Sequence, residues 1–96
     1  MLKFTVKECA DIKDKISVSL GYQHPEIYPI FTEVYDKLKP RHQLSLSNDE
    51  VAMLLDFLWM NPIPGFSSIN DKVNLYASLM NIERMNWDAY RISKKL

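Results

Sequence analysis

The residues that could carry acid or base chemistry are few and scattered. Asp49 and Glu50 form the nearest approach to an acid couple, and His24 and His42 are the only histidines. Catalysis needs paired carboxylates in a cleft or a nucleophile beside a base. Asp49 and Glu50 begin an apolar run, where acids cap a helix and favour its dipole, and neither histidine has a carboxylate or cysteine at ligand spacing. We therefore expect no enzyme activity, no metal and no cofactor.

Other signatures of chemistry are equally sparse. The chain has two glycines and contains no G-x-x-x-x-G-K-[ST], G-x-S-x-G or H-E-x-x-H motif, so it has no phosphate loop or nucleophile elbow of those types. The single cysteine, Cys9, has no partner for an internal disulfide; we expect a buried small hydrophobe, with a reactive thiol as the alternative. Twelve Lys and Arg balance twelve Asp and Glu, which argues against a nucleic-acid partner.

Residue types typical of interaction hot spots gather near the C-terminal end. Aromatic and arginine side chains dominate binding energy at protein interfaces, and lysines attract acidic partners or an anionic membrane surface. We predict that this end binds a partner. An equally weighted alternative is that the tryptophan only closes the open end of a helical bundle. The predicted partner-binding residues are Trp87, Tyr90, Arg91, Lys94 and Lys95.

The densest apolar run, Leu46–Asn61, predicts a helix at the centre of the fold. Ser47 and Glu50 form a capping box at its start, and the Asn-Pro pair at its end stops it. Such a helix is hydrophobic almost all round and must be covered by the other elements. We expect Leu54 and Leu58 to be buried there.

A second capping box, Thr5 with Glu8, predicts that helix one begins at Thr5 and ends at Gly21. The alternative for the first residues is a short strand, because Leu2, Phe4 and Val6 alternate with polar residues. Helix two should lie between Pro25 and Pro40, with its regular part starting nearer Pro29, since each proline removes a backbone donor.

The C-terminal half is expected to contain a loop, a fourth helix and a short fifth one. Prolines and a glycine predict a loop over residues 61–68. Helix four should start near Ser68 and run to about Ile82 or Met85; its expected core face carries Ile69, Val73, Tyr76, Leu79 and Met80. An Asn cap predicts a short helix over Trp87–Ile92, followed by a frayed tail.

These elements predict an all-α protein, an antiparallel four-helix bundle with a short fifth C-terminal helix. Ninety-six residues suit one domain, 1–96. No signal peptide or run of eighteen apolar residues is legible, so we expect a soluble, cytoplasmic monomer. Three methionines, Met53, Met60 and Met80, should face the core.

The order of features resembles a family of small cytosolic proteins, the enterocin A-type immunity proteins, which protect producer cells from pediocin-like bacteriocins. The resemblance rests on DKISVS at 14–19, PEI at 25–27 leading to VYDKL at 34–38, and LLDFLW at 54–59. It extends in length and helix order over roughly residues 5–92.

The resemblance implies an antiparallel four-helix bundle without enzymatic activity. It also implies a partner, namely bacteriocin bound to the membrane component of the mannose phosphotransferase receptor, with peripheral membrane contact. In the family the C-terminal half and tail set which bacteriocin is resisted. An alternative from another class is a phage- or plasmid-encoded helical inhibitor or adaptor that binds a host protein.

Overall fold

The computed structural model describes residues 2–20, 28–60 and 67–95. They form five helices: α1 Val6–Leu20, α2 Tyr28–Lys37, α3 Asn48–Met60, α4 Ser67–Leu79 and α5 Trp87–Lys95. No strand occurs within those ranges. The predicted all-α class with a short fifth helix is confirmed, and none of the described helices is long and apolar enough to cross a membrane.

The chain divides into two compact units, Met1–Leu46 and Ser47–Leu96. The first contains α1 and α2, which pack against each other, and the second contains α3, α4 and α5, where α3 contacts both of the others. We call them the N-terminal unit and the C-terminal unit. The expectation of a single domain over residues 1–96 stays a prediction.

Helix α1 begins as the sequence predicts. The Thr5 amide donates to Glu8 Oε1 at 2.8 Å, and the Glu8 amide donates to Thr5 Oγ1 at 3.1 Å. This reciprocal capping box satisfies two amides that the first turn leaves without helical acceptors. Cys9 is buried, as expected, and it shares the core of this unit with nine other apolar side chains: Leu2, Phe4, Ile12, Ile16, Ile30, Phe31, Val34, Leu38 and Leu44.

The first residues are extended but do not form the alternative strand. Leu2 and Phe4 are buried, and their carbonyls accept backbone hydrogen bonds from Leu44 (3.0 Å) and Arg41 (2.8 Å). Val6 is instead the first residue of α1 and is 55% exposed. Buried and exposed side chains therefore alternate over residues 2–4, where the segment lies along residues 41–44. The alternative of a strand that continues through Val6 is wrong.

Helix α2 starts at Tyr28, which confirms that the regular helix begins near Pro29. At this place the missing amide of Pro29 removes no helical hydrogen bond, because the first-turn amides have no acceptor within the helix. The helix ends at Lys37, before Pro40. The predicted stop at Gly21 and the earlier Pro25 lie outside the described residues.

Helix α3 lies at the centre of the C-terminal unit, where it contacts α4 and α5; that it is the centre of the whole fold stays a prediction. Its capping box has Ser47 N to Glu50 Oε1 at 2.8 Å and Glu50 N to Ser47 Oγ at 3.1 Å. Leu54 and Leu58 are buried at 0% and 4% exposure. Glu50, the capping residue, is itself buried, so the capping box lies at the edge of the core.

Helix α4 begins at Ser67, slightly earlier than predicted, and ends at Leu79 rather than at Ile82 or Met85. Asn81 has φ 55° and its amide donates to Ser78 O at 3.3 Å, while the Ile82 amide donates to Ala77 O at 2.8 Å. These two bonds are the Schellman pattern, with asparagine in the left-handed position that usually holds glycine. The extension of this helix is therefore wrong, because Asn81 terminates it.

The predicted core face of α4 is wrong at its C-terminal end. Ile69, Val73 and Ala77, spaced four apart, are the buried residues, whereas Leu79 is 71% exposed and Met80 is 53% exposed. Met60, the last residue of α3, is also exposed, at 68%, while Met53 is buried as expected. The small Ala77 takes the core position, and this register turns Leu79 outward.

Helix α5 starts at the predicted cap. Asn86 Oδ1 accepts from the Ala89 amide at 2.9 Å, the geometry that makes asparagine a favoured N-cap residue. The helix continues to Lys95 instead of stopping at Ile92. The expected frayed tail is therefore wrong for residues 93–95, which are helical.

Candidate functional site

All five residues predicted to bind a partner lie on α5. Tyr90 is half-buried and Arg91 is exposed. Arg91 Nη2 lies 3.7 Å from Asp88 Oδ1, but both side chains are exposed and such surface pairs contribute little. The side chains of Trp87, Lys94 and Lys95 lie outside the described part, so their predicted role stays a prediction.

The structure adds a second surface that the sequence reasoning missed, an open groove between α3 and α4. Its volume is about 250 Å³. Four apolar side chains and two amide side chains, the latter one helical turn apart on α4, line it. The lining residues are Leu55, Leu58, Trp59, Asn70, Val73 and Asn74. We call this the α3–α4 groove.

The groove continues into a neighbouring depression of about 340 Å³ that shares Leu55, Trp59 and Asn74 with it and reaches Arg84. Enclosed small-molecule sites usually measure about 300–1,000 Å³ and bury most of their ligand. The α3–α4 groove is smaller than this range, and both it and the neighbouring depression are open to solvent. The shape suits side chains projecting from a partner protein better than an enclosed small molecule.

Trp59 dominates the exposed surface at the groove, with 71% of the residue accessible. Other large apolar side chains of the C-terminal unit are also exposed: Met60, Leu75, Leu79, Met80 and Ile92. Exposed apolar residues scattered singly are ordinary, but a concentration of them marks interaction surfaces. Tryptophan is also the residue type most enriched at binding hot spots.

Arg84 ties Trp59 to a neighbouring acid. Its guanidinium carbon lies 4.9 Å from the centroid of the Trp59 ring, and its Nε lies 3.6 Å from Asp56 Oδ1. Asp56 and Trp59 are three residues apart on α3, so one arginine can reach both. The cation–π contact contributes about 0.5–1 kcal/mol at such an exposed place. Arg84 therefore holds the indole at one end of the groove.

Asp56 is perturbed by its surroundings. Burial raises the pKa of the Asp56 carboxyl above its ordinary value of 3.8, and the nearby Arg84 charge opposes this without cancelling it. Desolvation disfavours the ionised form, whereas an adjacent cation favours it. Desolvation dominates here, so ionisation of Asp56 is less favourable than in free solution despite its partner.

Asn70 brings a polar atom to the apolar groove. Its Oδ1 is buried and accepts no hydrogen bond from the part of the chain that the structure describes. Leaving a buried acceptor unsatisfied costs about 1–3 kcal/mol.

The described residues provide no cluster that could hold a metal ion. Among residues 2–20, 28–60 and 67–95, no group of three or more His, Cys, Asp or Glu is placed to hold a metal ion. His42 is exposed, and His24 lies outside the described residues. The groove offers a partner apolar side chains, amide side chains and a tryptophan in contact with Arg84.

The groove was hard to recognise in the sequence. Trp59 follows Leu55 by one helical turn, which is one signal of a shared face, but the apolar run predicts a core helix throughout. Arg84 comes from the segment after α4, and its approach to Trp59 depends on where α4 ends. Asn81 was the signal for that end, since asparagine favours the left-handed conformation.

No family model matches the chain, and no curated protein or solved structure matches it. The class defined by fold and site is an all-α protein with an open groove that apolar and amide side chains line. The likeness to enterocin A-type immunity proteins rests on the sequence pattern alone and stays a prediction.

Proposed function

We propose that the chain is a cytoplasmic bacteriocin immunity protein that acts without catalysis. It binds the complex of a pediocin-like bacteriocin with its membrane receptor, of which the membrane component of the mannose phosphotransferase is the candidate. The observation that carries the proposal is the exposed Trp59 beside the α3–α4 groove. This surface lies in the C-terminal half, where the family that the chain resembles sets its specificity.

The energetic support comes from the area that a partner would cover. A tryptophan side chain buries on the order of 150–250 Å². Because 71% of Trp59 is accessible, a partner could remove most of this area from water, a favourable term from which the costs of association are subtracted. The Arg84 guanidinium, 4.9 Å from the ring centroid, already restricts the side chain in part, which lowers one of those costs.

Charge supports a division of roles between two parts of this unit. Between residues 42 and 71 the sequence has four acids and no Lys or Arg, whereas α5 carries Arg91, Lys94 and Lys95. Cations at an interface rim chiefly increase the association rate and orient the partner. In the proposal α5 steers the monomer toward the receptor at the membrane, and the groove supplies the binding energy.

A second candidate is a phage- or plasmid-encoded inhibitor or adaptor of a host protein. The observation that favours it is that α3 and α4 line the groove and α5 does not. An inhibitor can use any face of a small helical protein. The two functions differ in the phenotype of a cell that expresses the chain.

The test is protection of a bacteriocin-sensitive strain that expresses the full chain, challenged with a panel of pediocin-like bacteriocins. We expect protection against at least one of them and loss of at least tenfold in the tolerated dose with Trp59→Ala. The matched control is Val18→Ala, because Val18 is another exposed apolar residue, 65% accessible, in the N-terminal unit; it should protect fully.

Two results would decide against parts of the proposal. If no bacteriocin of the panel is resisted while the protein accumulates folded, the immunity function is wrong. Removal of residues 86–96 tests α5 separately: a folded truncation that still protects fully would exclude the predicted role of Trp87, Tyr90, Arg91, Lys94 and Lys95.

A further inference from the structure

Most described Lys and Arg side chains have a partner within the molecule. Lys37 and Lys72 each make at least one hydrogen bond, ion pair, ring contact or electrostatic interaction. The other partnered cations are Lys7 with Asp11, Lys13 over the Tyr35 ring, Arg84 with Asp56 and Trp59, and Arg91 with Asp88. Among the described residues no ion pair or ring contact is recorded for Lys3, Lys39 or Arg41, nor for Lys15 on α1.

Three of these four cations lie in one place. The amide of Arg41 donates to Phe4 O at 2.8 Å and that of Leu44 to Leu2 O at 3.0 Å, so residues 2–4 run alongside 41–44. Leu2 and Phe4 point into the core, and the intervening Lys3 is exposed. Successive side chains of an extended segment alternate in direction, so Lys3 lies on the outer side of this pairing, next to the turn.

The turn itself presents the other two cations. His42 N donates to Lys39 O at 3.4 Å, which closes a four-residue turn over Pro40 and Arg41. Arg41 has φ 65°, a conformation that glycine or asparagine adopts at lower cost. Arg41 therefore combines a strained backbone with an exposed, charged side chain. This combination points to a role for the side chain.

We propose that Lys3, Lys39 and Arg41 form a cationic edge that binds the phosphate groups of an anionic phospholipid surface. The edge is exposed, has no recorded counter-ion within the described part of the chain, and includes exposed His42 beside it. It lies in the N-terminal unit and does not depend on the proposed immunity function, because it needs no receptor or bacteriocin.

The exposure of all three cations favours an extended anionic surface as their partner. None of them lines the α3–α4 groove or the depression beside it. A bilayer presents many phosphates at once, and each cation near an anionic leaflet increases partitioning by about fivefold. Three cations together increase it by roughly 100-fold, and salt screens the effect.

The test uses the full chain in a sedimentation assay with vesicles of pure phosphatidylglycerol or pure phosphatidylcholine. We expect binding to phosphatidylglycerol at low salt, loss of that binding at high salt, and none to phosphatidylcholine. The triple variant Lys3→Gln, Lys39→Gln and Arg41→Asn removes the edge while keeping a residue that tolerates positive φ; its partitioning should fall at least tenfold.

The matched control, Lys13→Gln, Lys15→Gln and Lys72→Gln, removes the same charge elsewhere and should change partitioning less than threefold. Equal loss in both triple variants would overturn the proposal, since net charge alone would then explain binding. Loss on removal of residues 86–96 but not in the edge variant would place lipid contact on α5 instead. Displacement by millimolar inorganic phosphate, or retention on an acidic protein resin but not on vesicles, would equally overturn the lipid surface. Circular dichroism of each variant confirms that it remains folded.

Discussion

The first helix of each unit begins with the same capping box, but the two units expose surfaces of different chemical character. Thr5 with Glu8 and Ser47 with Glu50 form capping boxes with identical distances of 2.8 and 3.1 Å. Only Val6 and Val18 are exposed large apolar residues in the N-terminal unit, among the residues described there, whereas the C-terminal unit exposes six. The N-terminal unit instead presents Lys3, Lys39 and Arg41, which form no ion pair with another described residue.

This contrast separates folding signals from binding signals. A capping box is local, acting within one helical turn, and is indifferent to what the outer face of the helix carries. Among the described residues, exposed tryptophan and leucine occur only in the C-terminal unit, and this concentration supports the binding role proposed for that unit. The predictions that follow test this separation.

The largest effect is expected where the C-terminal unit is packed. Leu58→Ala should lower the free energy of unfolding by about 2–5 kcal/mol, because it leaves a cavity in the core, whereas Trp59→Ala should change it by less than about 1 kcal/mol. Urea denaturation followed by circular dichroism measures both. If the adjacent Trp59 variant lost as much stability as the Leu58 variant, the distinction between core and binding surface on α3 would collapse.

The capping boxes should have similar strength in the two units. Thr5→Ala and Ser47→Ala should each lower the free energy of unfolding by about 1 kcal/mol, since each removes an acceptor for a first-turn amide. Equilibrium denaturation of the two single variants and the double variant gives the comparison. A difference of several kcal/mol between them would show that one cap does more than begin its helix.

The turn at Arg41 should be a place where the N-terminal unit can be stabilised. Arg41→Gly relieves the positive φ and should raise the free energy of unfolding by up to about 1 kcal/mol, whereas Arg41→Val should lower it by about 1–2 kcal/mol, because a β-branched residue resists that conformation. Thermal denaturation ranks the three proteins. The opposite order would refute strain at this position.

The smallest effect concerns pH. The pKa of Asp56 is raised on folding from 3.8 by burial, so between 3.8 and the raised value the folded state keeps a proton that the unfolded state has released. Stability supported by that proton is present below 3.8 and is lost as pH rises through the folded pKa. Asp56→Asn should therefore gain stability relative to the native protein as pH rises through this window, as denaturation at several pH values would measure. A difference independent of pH would contradict the raised pKa.

Much of the fold could be predicted because its signals are local. The boxes at Thr5 and Ser47, the Asn86 cap and the buried Leu54 and Leu58 each depend on residues within one or two helical turns. The outer face of α4 could not be predicted this way. Its register depends on how Ile69, Val73 and Ala77 pack, and its end depends on a conformation of Asn81 that the sequence favours without requiring.

The candidate surfaces show the same limit. The sequence identified the residue types on α5, but the contact of Arg84 with Trp59 joins α3 to the segment after α4. The cationic edge likewise needs the backbone pairing that brings residues 2–4 beside 41–44. Both surfaces result from tertiary contacts between distant parts of the sequence. A local sequence pattern does not predict such contacts.

The connection between α4 and α5 has a consequence for the internal motions of the C-terminal unit. Met85 N donates to Ala52 O at 3.1 Å, which fastens this non-helical segment to the middle of α3. An amide bonded to a central helix can exchange its hydrogen with solvent only when that segment lifts away. The Met85 amide should exchange far more slowly than other loop amides, so a probe at this one position would time the local opening of the connection directly.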